Sequence, residues 1–330
     1  MNRRNVTAGV LSALVLGSAV VTPQAAAAAC QYVRQDLPLP AGGSYPHTTG
    51  SSTNNSRVVG AYWQNGSRGA VWTNSVLRVM AAPANSADQV EPAAVNNTGV
   101  VAGVHQTYRG ANPPLYKAFR YENNTYTFLA VEAGEQSRAV AINDAGDVLG
   151  MVWQEATPNV RTVVMWPRNG LRKDFGPGLA IGIDAQRRIV KVEDPASTAI
   201  TGWVVNGDTG ARLKLEGART PMVFDNDRVL HYESTATGTQ IVELDLTGAR
   251  VATYEGGVNV YGRNGSGTVF GTFGITQPSL WRKTGRSEVV ADKLPDPTYY
   301  ADVTDAATLI GTYRDADDSS HPARWVWTCA

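Results

Sequence analysis

The sequence predicts an all-β fold, a seven-bladed β-propeller of four-stranded blades, on three observations. Its 330 residues include 33 Gly and 17 Pro with many Val, Thr and Tyr, and no long stretch places apolar residues at i, i+3, i+4 and i+7. A short pattern, in which a polar turn leads into an apolar run closed by glycine, recurs at regular spacing. The segment that precedes its first copy has no unit of its own and reads like the outer strand of a later one.

The N-terminus comes first. Arg3 and Arg4 precede a mostly apolar run from Val10 to Val21, and Pro23 and Gln24 lead into a run of alanines. This is the layout of a secretory signal peptide with an Ala-x-Ala cleavage site after Ala29. The apolar run is about a dozen residues, short of the ~20 that span a bilayer. Residues 1–29 are therefore expected to be removed, leaving residues 30–330 as a single secreted, extracellular domain. The chain has 29 basic and 29 acidic residues, so losing Arg3 and Arg4 leaves it at about −2. That balance argues against nucleic acid as a partner, which requires clustered Lys and Arg.

Seven copies of the pattern follow: TNNSRVVG (53–60), NNTGVVAG (96–103), NDAGDVLG (143–150), DAQRRIVK (184–191), FDNDRVLH (224–231), NGSGTVFG (264–271) and TDAATLIG (304–311). Their ends lie 40 to 47 residues apart, which is the size of a propeller blade. The fourth and fifth copies lack the closing glycine. Each copy is read as the end of an A-strand, a tight turn and a B-strand, with Asn-Asp, Asn-Gly and Asn-Asn at the turn tolerating the positive φ a hairpin needs. A loop then leads to a C-strand that often ends in an aromatic, as in AVW (70–72), KAFRY (117–121), VVMW (163–166), SLW (279–281) and RWVW (324–327). Trp72, Trp166, Trp281 and Trp327 thus read as packing residues in repeat register. A short D-strand follows, as in YTFLAV (126–131) or EVVAD (288–292).

The pattern A-x-x-I-N-D-x-G-x-V-x-G, followed by a loop, an aliphatic residue and Trp, resembles the HAF repeat of secreted bacterial proteins. AVAINDAGDVLGMVWQ with VVMWPRNG matches it almost fully, and AAVNNTGVVAGVHQ with KAFRYENN matches well. The resemblance implies an extracellular β-propeller and carries over no catalytic residues.

The seventh unit stops after its third strand. The segment QYVRQDLPLP (31–40) resembles SEVVADKLPDP (287–297) and is expected to pair with 324–328, supplying the missing strand and removing open edges. Cys30 and Cys329, the only cysteines, stand at opposite ends of the mature chain and are expected to form a disulfide. The alternatives are a free thiol pair or a lipidated Cys30, against which AAAC lacks the usual Leu.

Function is expected on the face that carries the B–C loops and D–A connections, because the B–C loops vary most in length: 106–116, 154–160 and 314–323 are long, and 273–278 is short. Tyr62, Trp63, His105, Trp153 and Tyr313 end B-strands there, and Tyr108 lies in the long 106–116 loop. Glu91, Arg138, Arg219, Asn259 and Tyr299 begin A-strands and are expected to ring the mouth of the central channel. Such groups suit a glycan or peptide; the alternative for each aromatic ring is packing between blades. No H-E-x-x-H, G-x-S-x-G or cysteine nucleophile context is present. The best catalytic set would join His105 and His231 with Glu233 and Glu91. Asp315, Asp317 and Asp318 are either Ca²⁺ ligands or a solvated acidic loop. The expected function is a secreted binding module for a surface glycan, cell-wall polymer or secreted protein, acting without a cofactor as a monomer or part of a secreted assembly. The alternative is a secreted lyase or glycoside-acting hydrolase with a polar site at the channel mouth.

Overall fold

The computed structural model describes residues 30–329 apart from 55, 82–87, 194–200, 216–220, 226, 237, 274–276, 282–286 and 290–296; at Cys30, Tyr299, Cys329 and a few other strand positions it describes the backbone alone. Seven antiparallel sheets of four strands form the blades of a β-propeller. Blade 1 comprises Ser44–Ser51, Arg57–Trp63, Ser67–Thr73 and Val76–Val79; blade 2, Gln89–Val95, Val101–Arg109, Asn112–Glu122 and Thr125–Phe128; blade 3, Glu135–Ile142, Val148–Gln154, Thr162–Trp166 and Lys173–Pro177. Blade 4 comprises Leu179–Ile183, Arg188–Glu193, Thr201–Asn206 and Arg212–Leu215; blade 5, Pro221–Asp225, Arg228–Thr235, Gly238–Asp245 and Arg250–Glu255. Blade 6 comprises Gly257–Arg263, Val269–Phe273, Gln277–Trp281 and Ser287–Val289. Blade 7 takes Pro297–Val303, Leu309–Arg314 and Ser320–Cys329 from the C-terminus and Cys30–Asp36 as its outer strand, so the ring closes as the sequence predicts.

The core is divided among the junctions between blades. Val59, Val71, Val101 and Phe119 fill the junction of blades 1 and 2; Leu37, Val58, Tyr62, Trp72 and Ile310 fill that of blades 7 and 1. In every blade one C-strand residue stands opposite the apolar residue two before the motif's last position: Trp72, Tyr121, Trp166, Val205, Leu244, Trp281 and Trp325. The last of these corrects the sequence reading. Trp325 is fully buried, whereas Trp327 is 38% exposed and leans on Tyr32 with ring centroids 4.8 Å apart.

The motif glycine has a steric cause. All seven A-strands carry a bulge at the same register, and the glycine pairs with the residue just before it, as in Pro92↔Gly103 and Ala139↔Gly150. A Cβ on Gly60, Gly103, Gly150 or Gly271 would lie 2.0–2.4 Å from the carbonyl oxygen of His47, Glu91, Arg138 or Asn259. On Gly150 it would also lie 2.9 Å from the Trp166 ring. Blades 4 and 5 solve the same junction differently: Lys191 and His231 occupy the glycine position, wholly buried, and the C-strand residue shrinks to Val205 or Leu244. The Lys191 ammonium is satisfied by the Phe175 carbonyl at 2.8 Å and Glu193 at 3.0 Å. Gly150→Ala is accordingly expected to cost about 1–3 kcal/mol through overpacking, measured by denaturant unfolding. An unchanged midpoint would refute the steric account.

The turns show why the motif begins with Asn. The positive φ falls on the fourth residue, at Gly99, Gly146 and Gly267, and at Arg187 and Ala307 where glycine is absent, so the tolerance the sequence reading gave to Asn is not what the turn uses. Asn143 instead closes the turn by accepting the Asp147 N–H at 2.9 Å through Oδ1. Its Nδ2 donates across the junction to the Asp184 carbonyl at 3.0 Å, as Asn96 does to the Asn143 carbonyl and Asn264 to that of Thr304. A second row links Asn54 to Asn97, Asn97 to Asp144 and Gly265 to Asp305, and the Asp305 N–H reaches the Thr53 carbonyl across the 7–1 junction. The repeated turn is a hydrogen-bonded belt between blades.

Candidate functional site

The central channel has two chemically different ends. At the A–B turns a cavity of about 300 Å³ is lined by Asn96, Asp144, Asp184, Asp225 and Asp302 among others. These groups are committed to structure. Asp144 accepts from Asn97, Asp184 caps its own turn and pairs with Arg188, Asp225 pairs with Arg263 at 3.0 Å, and Asp302 accepts from the Ser51 N–H and hydroxyl at 3.1 and 2.7 Å.

The opposite mouth, where the A-strands begin, holds a cavity of about 460 Å³ with His47, Thr49, Glu91 and Arg138 on its walls and Pro92, Val140 and Met151 among its apolar lining. His47, Glu91 and Arg138 are equivalent residues of blades 1, 2 and 3, each immediately before the residue that pairs with the motif glycine. No side-chain hydrogen bond or ion pair engages any of the three among the described residues. Burial holds His47 below the ordinary imidazole value, and the nearby Glu91 carboxylate opposes that shift. The mouth therefore offers an imidazole that burial favours in its neutral form, together with the Glu91 side chain and the exposed Arg138 guanidinium. Beside it, blade 1 carries a second irregularity: between the pairs Ser44↔Trp63 and His47↔Ala61 the strand bulges, and Tyr45 sits there at φ +46° with 78% of its surface exposed.

The sequence-predicted residues separate into two groups. Tyr62, His105 and Tyr313 stand two places after the motif glycine, a position that faces the junction between blades, and all three are buried. Tyr62 and Tyr313 belong to the core clusters, and His105 lies against Asp88 at 3.6 Å and the Phe128 ring at 5.4 Å. They belong to packing. One place further on, Trp63 is 47% exposed, and Trp153 is half-buried between Tyr116 and the Arg161 guanidinium. Tyr108 and Arg138 are exposed, whereas Arg219 and the side chain of Tyr299 lie outside the described residues. Asn259 donates to the Thr272 hydroxyl at 3.1 Å.

The best catalytic set that the sequence offers is not assembled. His105 is in blade 2, His231 is in blade 5 beside Glu233 at 3.8 Å, and Glu91 faces His47 instead. His47 was missed, although it occupies the blade 1 counterpart of Glu91. Asp315 works as a turn cap, accepting the Asp317 and Ser319 N–H groups at 3.0 and 2.9 Å and meeting His321 at 2.7 Å, while Asp318 pairs with Arg314.

Two buried imidazoles and one half-buried one set a pH dependence. His47, His105 and His231 all lie below the ordinary value, chiefly through desolvation. Unfolding returns them to 6.5, so the unfolded chain takes up protons first, and their contribution, present above that pH, is lost as the pH falls below it. Asp302 runs the other way: desolvation pushes it up from 3.8 to about 6, so its contribution is present below 3.8 and lost as pH rises through 6. The melting temperature is expected to fall from pH 7 to 5, and His231→Gln to flatten that slope. An identical slope in the variant would exclude His231 as a source.

No family model matches the chain, and no curated protein matches it. Solved structures share its fold. A prolyl endopeptidase is similar at 12% identity and a TM-score of 0.57 over 87% of this chain and 47% of that one. A puromycin-hydrolyzing peptidase of Mycobacterium tuberculosis is similar at 13% and 0.54, over 89% and 54%. The β-propeller domain of the Trilobed protease from Pyrococcus furiosus is similar at 13% and 0.50, over 66% and 76%. The chain thus spans about half the length of the first two, and at these identities the likeness is one of fold. The Pyrococcus domain has an open velcro topology; here the first and last strands pair within one blade.

Proposed function

We propose that this chain is a secreted binding module, of the HAF-repeat type that its motifs resemble, which recognises a surface glycan, cell-wall polymer or protein partner through the face carrying the B–C loops and D–A connections. One contrast carries the reading. The polar groups of the A–B turn end are tied to one another, while His47, Glu91 and Arg138 surround a cavity with their hydrogen-bonding capacity unspent among the described residues. His47 and Glu91 are half-buried and Arg138 is exposed, so all three have hydrogen-bonding capacity that a ligand entering the cavity can take up. Trp63, Trp153 and Tyr108 on the same face add apolar surface suited to sugar rings or peptide side chains.

His47 and Glu91 on the wall of one cavity, with the carboxylate acting on the imidazole, favour a second reading, a lyase or glycoside-acting hydrolase at the same mouth. Glycan-array binding by the purified protein, followed by product analysis of any polymer retained, separates the two. For a binding module, Glu91→Gln and His47→Ala are each expected to weaken binding about tenfold, consistent with ~1–1.5 kcal/mol per hydrogen bond, with no polymer shortened. Shortened products that disappear in Glu91→Gln would establish the enzyme.

A further inference from the structure

Taking the channel mouth as the binding site, we infer that its ligand is an acidic polysaccharide, with a uronate carboxylate held by Arg138 and an adjoining sugar ring lying on Tyr45 and Trp63. Arg138 is exposed at the rim of the cavity, and no acidic partner holds it among the described residues. A guanidinium in that state presents a planar fork that matches a carboxylate through two parallel hydrogen bonds. Glu91, on the next blade, repels a second anion and accepts hydroxyl protons instead. His47, kept neutral by burial, both donates and accepts, as a sugar hydroxyl requires. The demanded ligand therefore carries one carboxylate and several hydroxyls over a short span.

The aromatic part of the inference rests on Tyr45. A bulky side chain at φ +46° is a backbone outlier, and such strain persists where a surrounding structure enforces it, commonly at ligand sites. Here a bulge enforces it, two residues before His47 and one after the Ser44↔Trp63 pair. Bulges re-aim side chains, and this one leaves the Tyr45 ring in solvent. Tyr45 and Trp63 are thus two exposed rings beside the Ser44↔Trp63 pair of blade 1, two strand positions from the His47↔Ala61 pair whose His47 lines the cavity, and they offer the apolar surface that the C–H face of a pyranose covers. A peptide would use the same arginine but has no such need of flat rings beside it.

Calorimetric titration of the mature protein tests this with oligogalacturonate, alginate and hyaluronate oligomers, the methyl ester of the tightest binder, chitohexaose, and oligoglutamate. One of the uronates is expected to bind, its methyl ester at least about tenfold more weakly. Arg138→Gln should weaken the uronate by a similar factor and leave the ester unchanged, and Tyr45→Ala should weaken both. Equal affinity for acid and ester, or an unaffected Arg138→Gln, overturns the inference. Chitohexaose binding that Glu91→Gln abolishes overturns the acidic class while leaving the mouth a binding site. Oligoglutamate binding as tight as the uronate shows that charge alone is recognised and also overturns it. Binding of none of these overturns both the inference and the glycan reading beneath it.

Discussion

Deleting residues 30–36 is expected to abolish the soluble folded ring. This strand pairs along its whole length with Ala323–Cys329 and, among the described residues, is the strand that covers that edge of blade 7. It also carries packing of its own. Tyr32 sits in the cluster with Phe270, Val303 and Trp325 and donates to the Ala307 carbonyl, and Arg34 lies 3.9 Å from the centre of the Tyr313 ring. The turn that follows inserts Leu37 between blades 7 and 1 and offers the Pro38 carbonyl to the Trp72 indole at 2.7 Å. Burial of one large apolar side chain is worth ~1.5–3 kcal/mol, and a domain of this kind is stable by only ~5–15 kcal/mol. Removing the strand therefore uses much of the margin and exposes an unpaired edge, which favours aggregation. Light scattering and size-exclusion chromatography would read the outcome; a soluble deletion variant with the wild-type melting temperature would exclude this closure.

Cys30 and Cys329 are direct register partners in that pair. Residues directly opposite in antiparallel strands have Cα atoms ~4.5–5.5 Å apart, inside the ~4.4–6.8 Å a disulfide spans. Their side chains lie outside the described residues, and the disulfide is accordingly proposed on register and parity. Chain entropy for a loop of about 300 residues corresponds to roughly 5–6 kcal/mol, of which real bridges deliver about 2–4. Cys30→Ser should lower the melting temperature with an unchanged circular dichroism spectrum. Reactive thiols in the denatured, unreduced wild-type protein, two for a free pair or one for a lipidated Cys30, would show that the bridge is absent.

The blade count was legible because the belt and the bulge impose the same demands on every unit. Glycine opposite the bulge recurs wherever the junction carries a large C-strand aromatic, and Asn opens the turn in blades 2, 3 and 6, with Thr304 in its place in blade 7. Even blades 4 and 5 kept the alternation once Lys191 and His231 had replaced the glycine. The site was harder to read for two physical reasons. Strand alternation shows that residues share a face without saying which face is covered, so Tyr62, His105 and Tyr313 read as loop-face groups although they point into junctions. The same ambiguity exchanged Trp325 for Trp327, which lie two apart on one face; Leu309 opposite Trp325 settles the register. His47 was hidden by a different irregularity. Glu91, Arg138 and Asn259 stand twelve residues before Gly103, Gly150 and Gly271, whereas His47 stands thirteen before Gly60, so counting from the motif lands on Thr48.

Trp166→Ala and Trp63→Ala should then separate stability from recognition. Trp166 is buried among Ala102, Leu129, Val148 and Val164, donates its indole N–H to the Ala130 carbonyl at 2.7 Å, and fills the space that Gly150 leaves open. Removing it leaves a cavity between blades 2 and 3 and an unpaired carbonyl, a loss of about 3–5 kcal/mol. Trp63 stands one register place beyond the buried Tyr62, with nearly half its surface in solvent, so its truncation should cost about 1 kcal/mol, well under the Trp166 loss, while weakening polysaccharide binding several-fold. Trp153, half-buried against Tyr116 and Arg161, should fall between the two on both measurements. Denaturant unfolding and calorimetric titration on the same three variants give the comparison. If Trp63→Ala proves as destabilising as Trp166→Ala, its ring belongs to the packing of blade 1, and the aromatic wall assigned to the channel mouth loses one of its two members.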